Sequence, residues 1–137
     1  MTLSKRDIMK QRIALLKTRK AYPKGKYVNR PQLGSFVSHA SPHVERAKKM
    51  YGVENMRPTR ALAQASGCSM SALRKIIRKG EGAYYSSGSR PNQTAQSWAY
   101  ARLGSSLTGG PASRVDYDIL RRGCSRKSRA LRMASRA

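Results

Sequence analysis

The chain has 137 residues, and its 29 Lys and Arg against 6 Asp and Glu give a formal charge of +23. That length holds one domain with a modest core; with 39% apolar but only 7% aromatic residues, the core must lean on Ala, Leu, Ile, Val and Met. A compact body with this charge repels itself, so a polyanionic partner is expected: nucleic acid, an anionic membrane surface or an acidic protein. No apolar run reaches the ~18 residues of a membrane-spanning helix. The basic N-terminus is not followed by the apolar stretch of a secretory signal. Cys68 and Cys124 stand outside any CxxC pair, so zinc or redox chemistry is not signalled. Small buried thiols in a reducing, intracellular or virion-interior setting are expected.

The cations are unevenly spread, with 10 in residues 1–30, 12 in residues 31–120 and 7 in residues 121–137. This divides the chain into a basic N-terminal helix and extended arm (1–40), a helical body (41–124) and a basic C-terminal tail (125–137). In the arm, Ser4 is placed to cap a helix and Asp7 to complement its positive end. Ile8, Met9, Ile13 and Leu16 form an apolar stripe, and the helix is expected to stop before Tyr22-Pro23. "YPKGKYVNRPQLGSF" then reads as an extended loop. Lys5, Arg6, Lys10, Arg12, Lys17, Arg19 and Lys20 of the arm, with Arg126, Lys127, Arg129 and Arg132 of the tail, are the candidate polyanion contacts.

"SPHVERAKKMYG" carries a complete helix signature: Ser41 at the N-cap, Pro42 at the first position, Glu45 closing a capping box and Gly52 after the end. Val44, Ala47 and Tyr51 are its core-facing residues. His39 and His43 are four apart, but the helix start lies between them and no Cys or carboxylate pair joins them, so no metal site is expected. "RPTRALAQASGCSMSALRKIIRKG" reads as two short helices around a tight turn. Pro58 opens the first, Gly67 ends it, and Ser69 caps a second that runs to Gly80. Ala63 four residues before the turn glycine, Cys68 after it, and Leu73 and Ile76 on the second helix fit the packing of a helix-turn-helix. Ser69, Ser71, Arg74, Lys75 and Arg78 would then face a groove.

"GEGAYYSSGSRPNQTAQSW", residues 80–98, holds one Arg and three large aromatics and is otherwise small or polar. It reads as a long ordered loop packed on the helices through Tyr84, Tyr85 and Trp98. Arg90 is expected to fork into a carboxylate, with Asp116 and Asp118 as candidates, or into helix-end carbonyls; a phosphate contact is the alternative. Thr94 caps a helix from Ala95 to about Leu107, packed through Trp98, Ala101 and Leu103. "TGGPAS" breaks the chain. "VDYDILRRG" gives a last short helix, its acids near the start and its arginines near the end as the helix dipole favours. The tail "CSRKSRALRMASRA" is expected to be disordered unless bound. The fold class expected is all-α: a small multi-helix domain with an ordered Gly/Ser/Tyr loop and basic arms at both ends.

"KGEGAYYSSGSRPNQTAQSWAYARL" and "VDYDILRRGC" resemble a domain of unknown function carried by proteins of nucleocytoplasmic large DNA viruses, especially those of algae. The resemblance covers about Ala61 to Cys124 and leaves both arms outside. It implies a viral setting and localisation in the virion, and brings no reaction or cofactor. No catalytic triad, phosphate-cradling loop or metal cluster is legible, so an enzyme, a cofactor and a small-molecule substrate are not expected. The leading expectation is a virion structural protein of minor capsid or cement type, bridging capsid subunits and acidic partners. The alternative is a nucleic-acid-binding protein that packages or condenses viral DNA, with the helix-turn-helix as its reading element. Other virion proteins, nucleic acid and an anionic membrane surface are the partners considered.

Overall fold

Capping residues place most helix ends where local chemistry demands. The computed structural model describes residues 4–26, 41–86 and 93–137, and among them the chain is all-α, with eight α-helices and no strand. Helix α1 (Lys5–Ala21) begins where Ser4 Oγ accepts the Asp7 N–H at 3.2 Å, and a 3-10 turn, Tyr22–Lys24, closes it. Helix α2 (Pro42–Tyr51) ends on left-handed Gly52. Helices α3 (Arg60–Ser66) and α4 (Met70–Ser86) follow. Helix α5 (Ala95–Leu107) is opened by a reciprocal box, Thr94 and Ser97 each bonding the other's backbone N–H. Three short helices complete the chain: α6 (Pro111–Val115), α7 (Tyr117–Gly123) and α8 (Arg129–Arg136).

The antiparallel neighbours α4 and α5 form the spine. Helices α2, α6 and α8 pack on α5, while α1 and α7 pack on α4. The spine is tight because Gly80 has no side chain: a Cβ there would stand 2.6 Å from the Ala99 Cα. The main core joins Met56, Leu62, Leu73, Ile76, Leu103, Leu107 and Leu120 with Ala47, Tyr51, both cysteines, Ala130 and Ala134. The thin aliphatic core expected from composition is what forms, with side chains drawn from six helices.

Several expectations are corrected here. Helix α4 does not stop at Gly80 but runs on to Ser86, because Gly80 serves helix packing rather than a turn. Tyr84 and Tyr85 therefore sit on a helix, not in a loop. Tyr84 is buried and its hydroxyl donates to the Gln93 carbonyl at 3.0 Å. Trp98 lies half-buried beside Tyr84, ring centroids 6.4 Å apart, and Ile77 is also half-buried, so this aromatic group borders the main core instead of filling it. Along α5 the buried apolar side chains are Ala99, Leu103 and Leu107, so of the expected packing residues Leu103 enters the core while Trp98 and Ala101 are half-buried. Arg90 and His39 lie outside the described residues.

The tail is folded as well. Ser128 caps α8 by accepting the Leu131 N–H, and its hydroxyl donates to the Ser66 carbonyl at 2.6 Å. Ala130 and Ala134 are buried, so the small residues that suggested disorder instead let α8 approach the body closely. The two cysteines are buried as expected but are not thiols: Cys68 and Cys124 form a disulfide, across an isolated antiparallel bridge. Backbone bonds flank it, Ser69 N–H to Gly123 O at 2.7 Å and Ser125 N–H to Gly67 O at 2.8 Å. A separation of 56 residues hides such a partner from any spacing rule.

Candidate nucleic-acid interface

The α3–α4 pair is built by its turn. Thr59 caps α3 through the Leu62 N–H at 3.2 Å. Gly67 then adopts φ +74, a left-handed conformation that side chains resist, and its N–H closes on the Ala63 carbonyl at 2.9 Å. Ser69 restarts the helix by accepting the Ala72 N–H at 3.1 Å. Leu62, Ser66, Cys68, Leu73 and Ile76 are all buried between the two helices and the body. The Gly67 turn and the Ser69 cap stand where the sequence reading put them, while Pro58, expected to open the first helix, lies outside α3 and Thr59 takes that role.

Burying Ala72, Leu73, Ile76, Gly80 and Tyr84 turns the opposite face of α4 outward. Ser69, Ser71, Arg74, Lys75 and Arg78 are all exposed on or beside that face, as expected. Lys79, which the sequence reading passed over, joins them. Arg74 and Arg78, and likewise Lys75 and Lys79, are like charges one turn apart, an arrangement that costs helix stability unless an anion lies over it. Among the described residues the ion pairs are Lys48–Glu45, Arg102–Asp116 and Arg121–Asp118, so none draws on these four cations.

Helix α7 supplies the second wall. Gly123 sits so close to α4 that a Cβ would stand 2.4 Å from Ala72 Cβ. Between the helices runs an open groove of about 340 Å³, lined by Ser69, Ser71, Lys75 and Lys79 on one side and Asp118, Ile119 and Arg122 on the other. Three cations thus converge on a space large enough for a phosphate group. Asp118 stands at the rim, 82% exposed and 4.0 Å from Arg121, so water and Arg121 screen it. Arg122 was legible only as a helix-end charge; nothing in its neighbours announces that α7 faces α4.

The remaining candidate cations lie elsewhere. Lys5, Arg6, Lys10, Arg12, Lys17, Arg19 and Lys20 are exposed on α1, and Arg126, Lys127, Arg129 and Arg132 are exposed before and along α8. Those of α1 and α8 are held on folded helices, Arg126 and Lys127 lie in the turn before α8, and none lines the groove. The expected role for Arg90 is filled by another residue: Arg102 forks onto the buried Asp116, Nε to Oδ2 at 3.0 Å and a terminal nitrogen to Oδ1 at 2.7 Å, with Ser106 Oγ donating at 2.7 Å. Asp116 is therefore a structural anion rather than a dipole-complementing acid at the surface.

A family model described as a family of unknown function (DUF5824) matches residues 1–120. The chain belongs to this family. No curated protein and no solved structure matches it. The DUF5824 match takes in α1, which the resemblance had left outside, together with the whole α3–α4 unit. It ends at Leu120, inside α7, so Arg122, Cys124 and α8 lie beyond it.

Proposed function

We propose that this DUF5824 protein is a non-enzymatic nucleic-acid-binding protein that lays α4 along a duplex and grips its phosphates from the α4–α7 groove. The carrying observation is the outward face of α4: Arg74, Lys75, Arg78 and Lys79, exposed and without ion pairs among the described residues, on the second helix of a Gly67-turned pair. In such a pair the second helix enters the major groove. Arg74 and Arg78 then lie toward the base edges, and Lys75, Lys79 and Arg122 toward a flanking strand. Phosphate contacts supply affinity for any sequence and release counterions, so binding weakens steeply with salt.

The sequence alone favoured a virion structural role. That reading now draws on the charge, which serves an acidic neighbour as well as DNA, and on apolar residues exposed on α1, which phosphates do not require. It remains the second reading, with a viral setting and other virion proteins as its partners. Titration of labelled duplex DNA over a salt series separates the two. The nucleic-acid reading expects Lys75→Gln and Arg122→Gln each to lower the salt slope by about one. Duplex binding that is absent at low salt would return the chain to the structural role.

A further inference from the structure

Helix α1 is inside out for a helix on a protein surface. Its body-facing side is Asp7, Gln11, Ala14 and Thr18, all buried, while Met9, Ile13 and Leu16 stand 57%, 48% and 64% exposed. These three fall in a series with Arg6 and Lys20, positions 6, 9, 13, 16 and 20, whose 3-4-3-4 spacing is that of the two core columns of a coiled coil. The flanking columns are cationic throughout. Lys5, Arg12 and Arg19 repeat every seven residues along one side of the seam, and Lys10 and Lys17 along the other, all exposed.

We propose that the outward face of α1 docks an acidic amphipathic helix of a partner protein, pairing with it as a short two-stranded coiled coil. Apolar seam and charged flanks each restrict the occupant. Phosphate backbones have no use for Met9, Ile13 and Leu16. A second copy of this chain would set its cationic flanks against their like, which coiled coils avoid. Anionic lipid would accept both features, but an interfacial helix spreads its apolar residues over a wide face, whereas here Met9, Ile13 and Leu16 form a two-column seam hemmed by cations on both sides, with Ile8, the least exposed of the four, apart from it. A helix with Leu or Ile at its core positions and Glu at its flanks satisfies seam and flanks together. Nothing in this inference depends on nucleic-acid binding by α4.

The test uses the full chain and a labelled synthetic peptide of about three heptads, Leu and Ile at the core positions and Glu at the flanks. A shuffled peptide of identical composition is the control, and binding is read by fluorescence anisotropy. The chain is expected to bind the heptad peptide in preference to the shuffled one. Replacing Met9, Ile13 and Leu16 together with Gln, a good helix former, is expected to weaken heptad-peptide binding by about tenfold or more. Unchanged helical circular dichroism and an unchanged thermal unfolding midpoint would show the variant folded. Equal affinity for the two peptides, or for wild type and variant, would reduce the attraction to bare charge and overturn the proposal. So would capture by phosphatidylserine vesicles that is lost in the variant while the heptad peptide fails to bind.

Discussion

Asp116 shows how a single residue can change its meaning between sequence and structure. Beside Asp118 at a helix start it reads as an acid placed for the dipole, yet its carboxylate is fully buried and takes three hydrogen bonds from Arg102 and Ser106. Removing Asp116 leaves the Arg102 guanidinium and the Ser106 hydroxyl without their partner where water reaches only the edge of the arginine, so Asp116→Ala is expected to cost about 2–4 kcal/mol in chemical denaturation. Arg102→Lys keeps the charge but loses the fork, and is expected to cost about 1–2 kcal/mol. Equal stability of Asp116→Ala and wild type would remove this cluster from the account. Tyr51 makes a second residue-scale case. Its hydroxyl donates to the Leu107 carbonyl in the core, and burial, partly offset by Arg129, pushes its pKa up to about 12. The fold needs the neutral phenol, whereas in the unfolded chain the proton leaves near pH 10. Stability is therefore complete below about pH 10 and falls by about 2–3 kcal/mol as pH rises toward 12. Unfolding measured over that range should lose this step in Tyr51→Phe. Neither role was visible in the sequence, because each depends on a partner brought in by a different helix.

At the scale of elements, the legible parts were those fixed by short-range chemistry. Ser4, Thr94 and the left-handed Gly52 and Gly67 mark their helix ends in the residues alone, and the starts of α1 and α5 and the ends of α2 and α3 follow them. Two opening signals do not act as expected: Ser41 makes no side-chain cap bond to α2, so the box with Glu45 does not form, and Pro58 lies one residue before Thr59, which caps α3 instead. Gly80 misled because a glycine that stops a helix and one that lets Ala99 approach look alike in sequence. The tail misled for a related reason: Ala130 and Ala134 give no strong apolar period, yet their size suits a closely packed helix. Helix α8 is tied down by the Ser128–Ser66 bond and by the Cys68–Cys124 disulfide just before it. Closing a loop of this length constrains the unfolded chain, so reduction, or Cys124→Ala, is expected to lower stability by about 3–4 kcal/mol. Hydrogen exchange should report the loss first in α8. Equal unfolding midpoints for oxidised and reduced protein would show that the disulfide contributes nothing to the fold.

For the whole molecule, the composition correctly pointed to a lean core and the helix signatures to an all-α body, and Ser71, Arg74, Lys75 and Arg78, expected on the outer side of the second helix, are exposed. The groove itself was not legible, since Lys79 and Arg122 meet only through the packing of α7 on α4. The charge of +23 is also more organised than a count suggests. One cationic face, on α4, is nearly free of exposed apolar side chains and suits phosphates; another, on α1, brackets an apolar seam and suits a protein helix. The most direct measurement compares matched charge removals on the two faces. Duplex DNA binding is followed against salt for Lys75→Gln with Arg122→Gln, and for Lys10→Gln with Lys17→Gln. The account predicts that the first pair lowers the slope by about two and the second by clearly less. An equal or larger loss from the α1 pair, with the α4–α7 pair behaving as wild type, would contradict it.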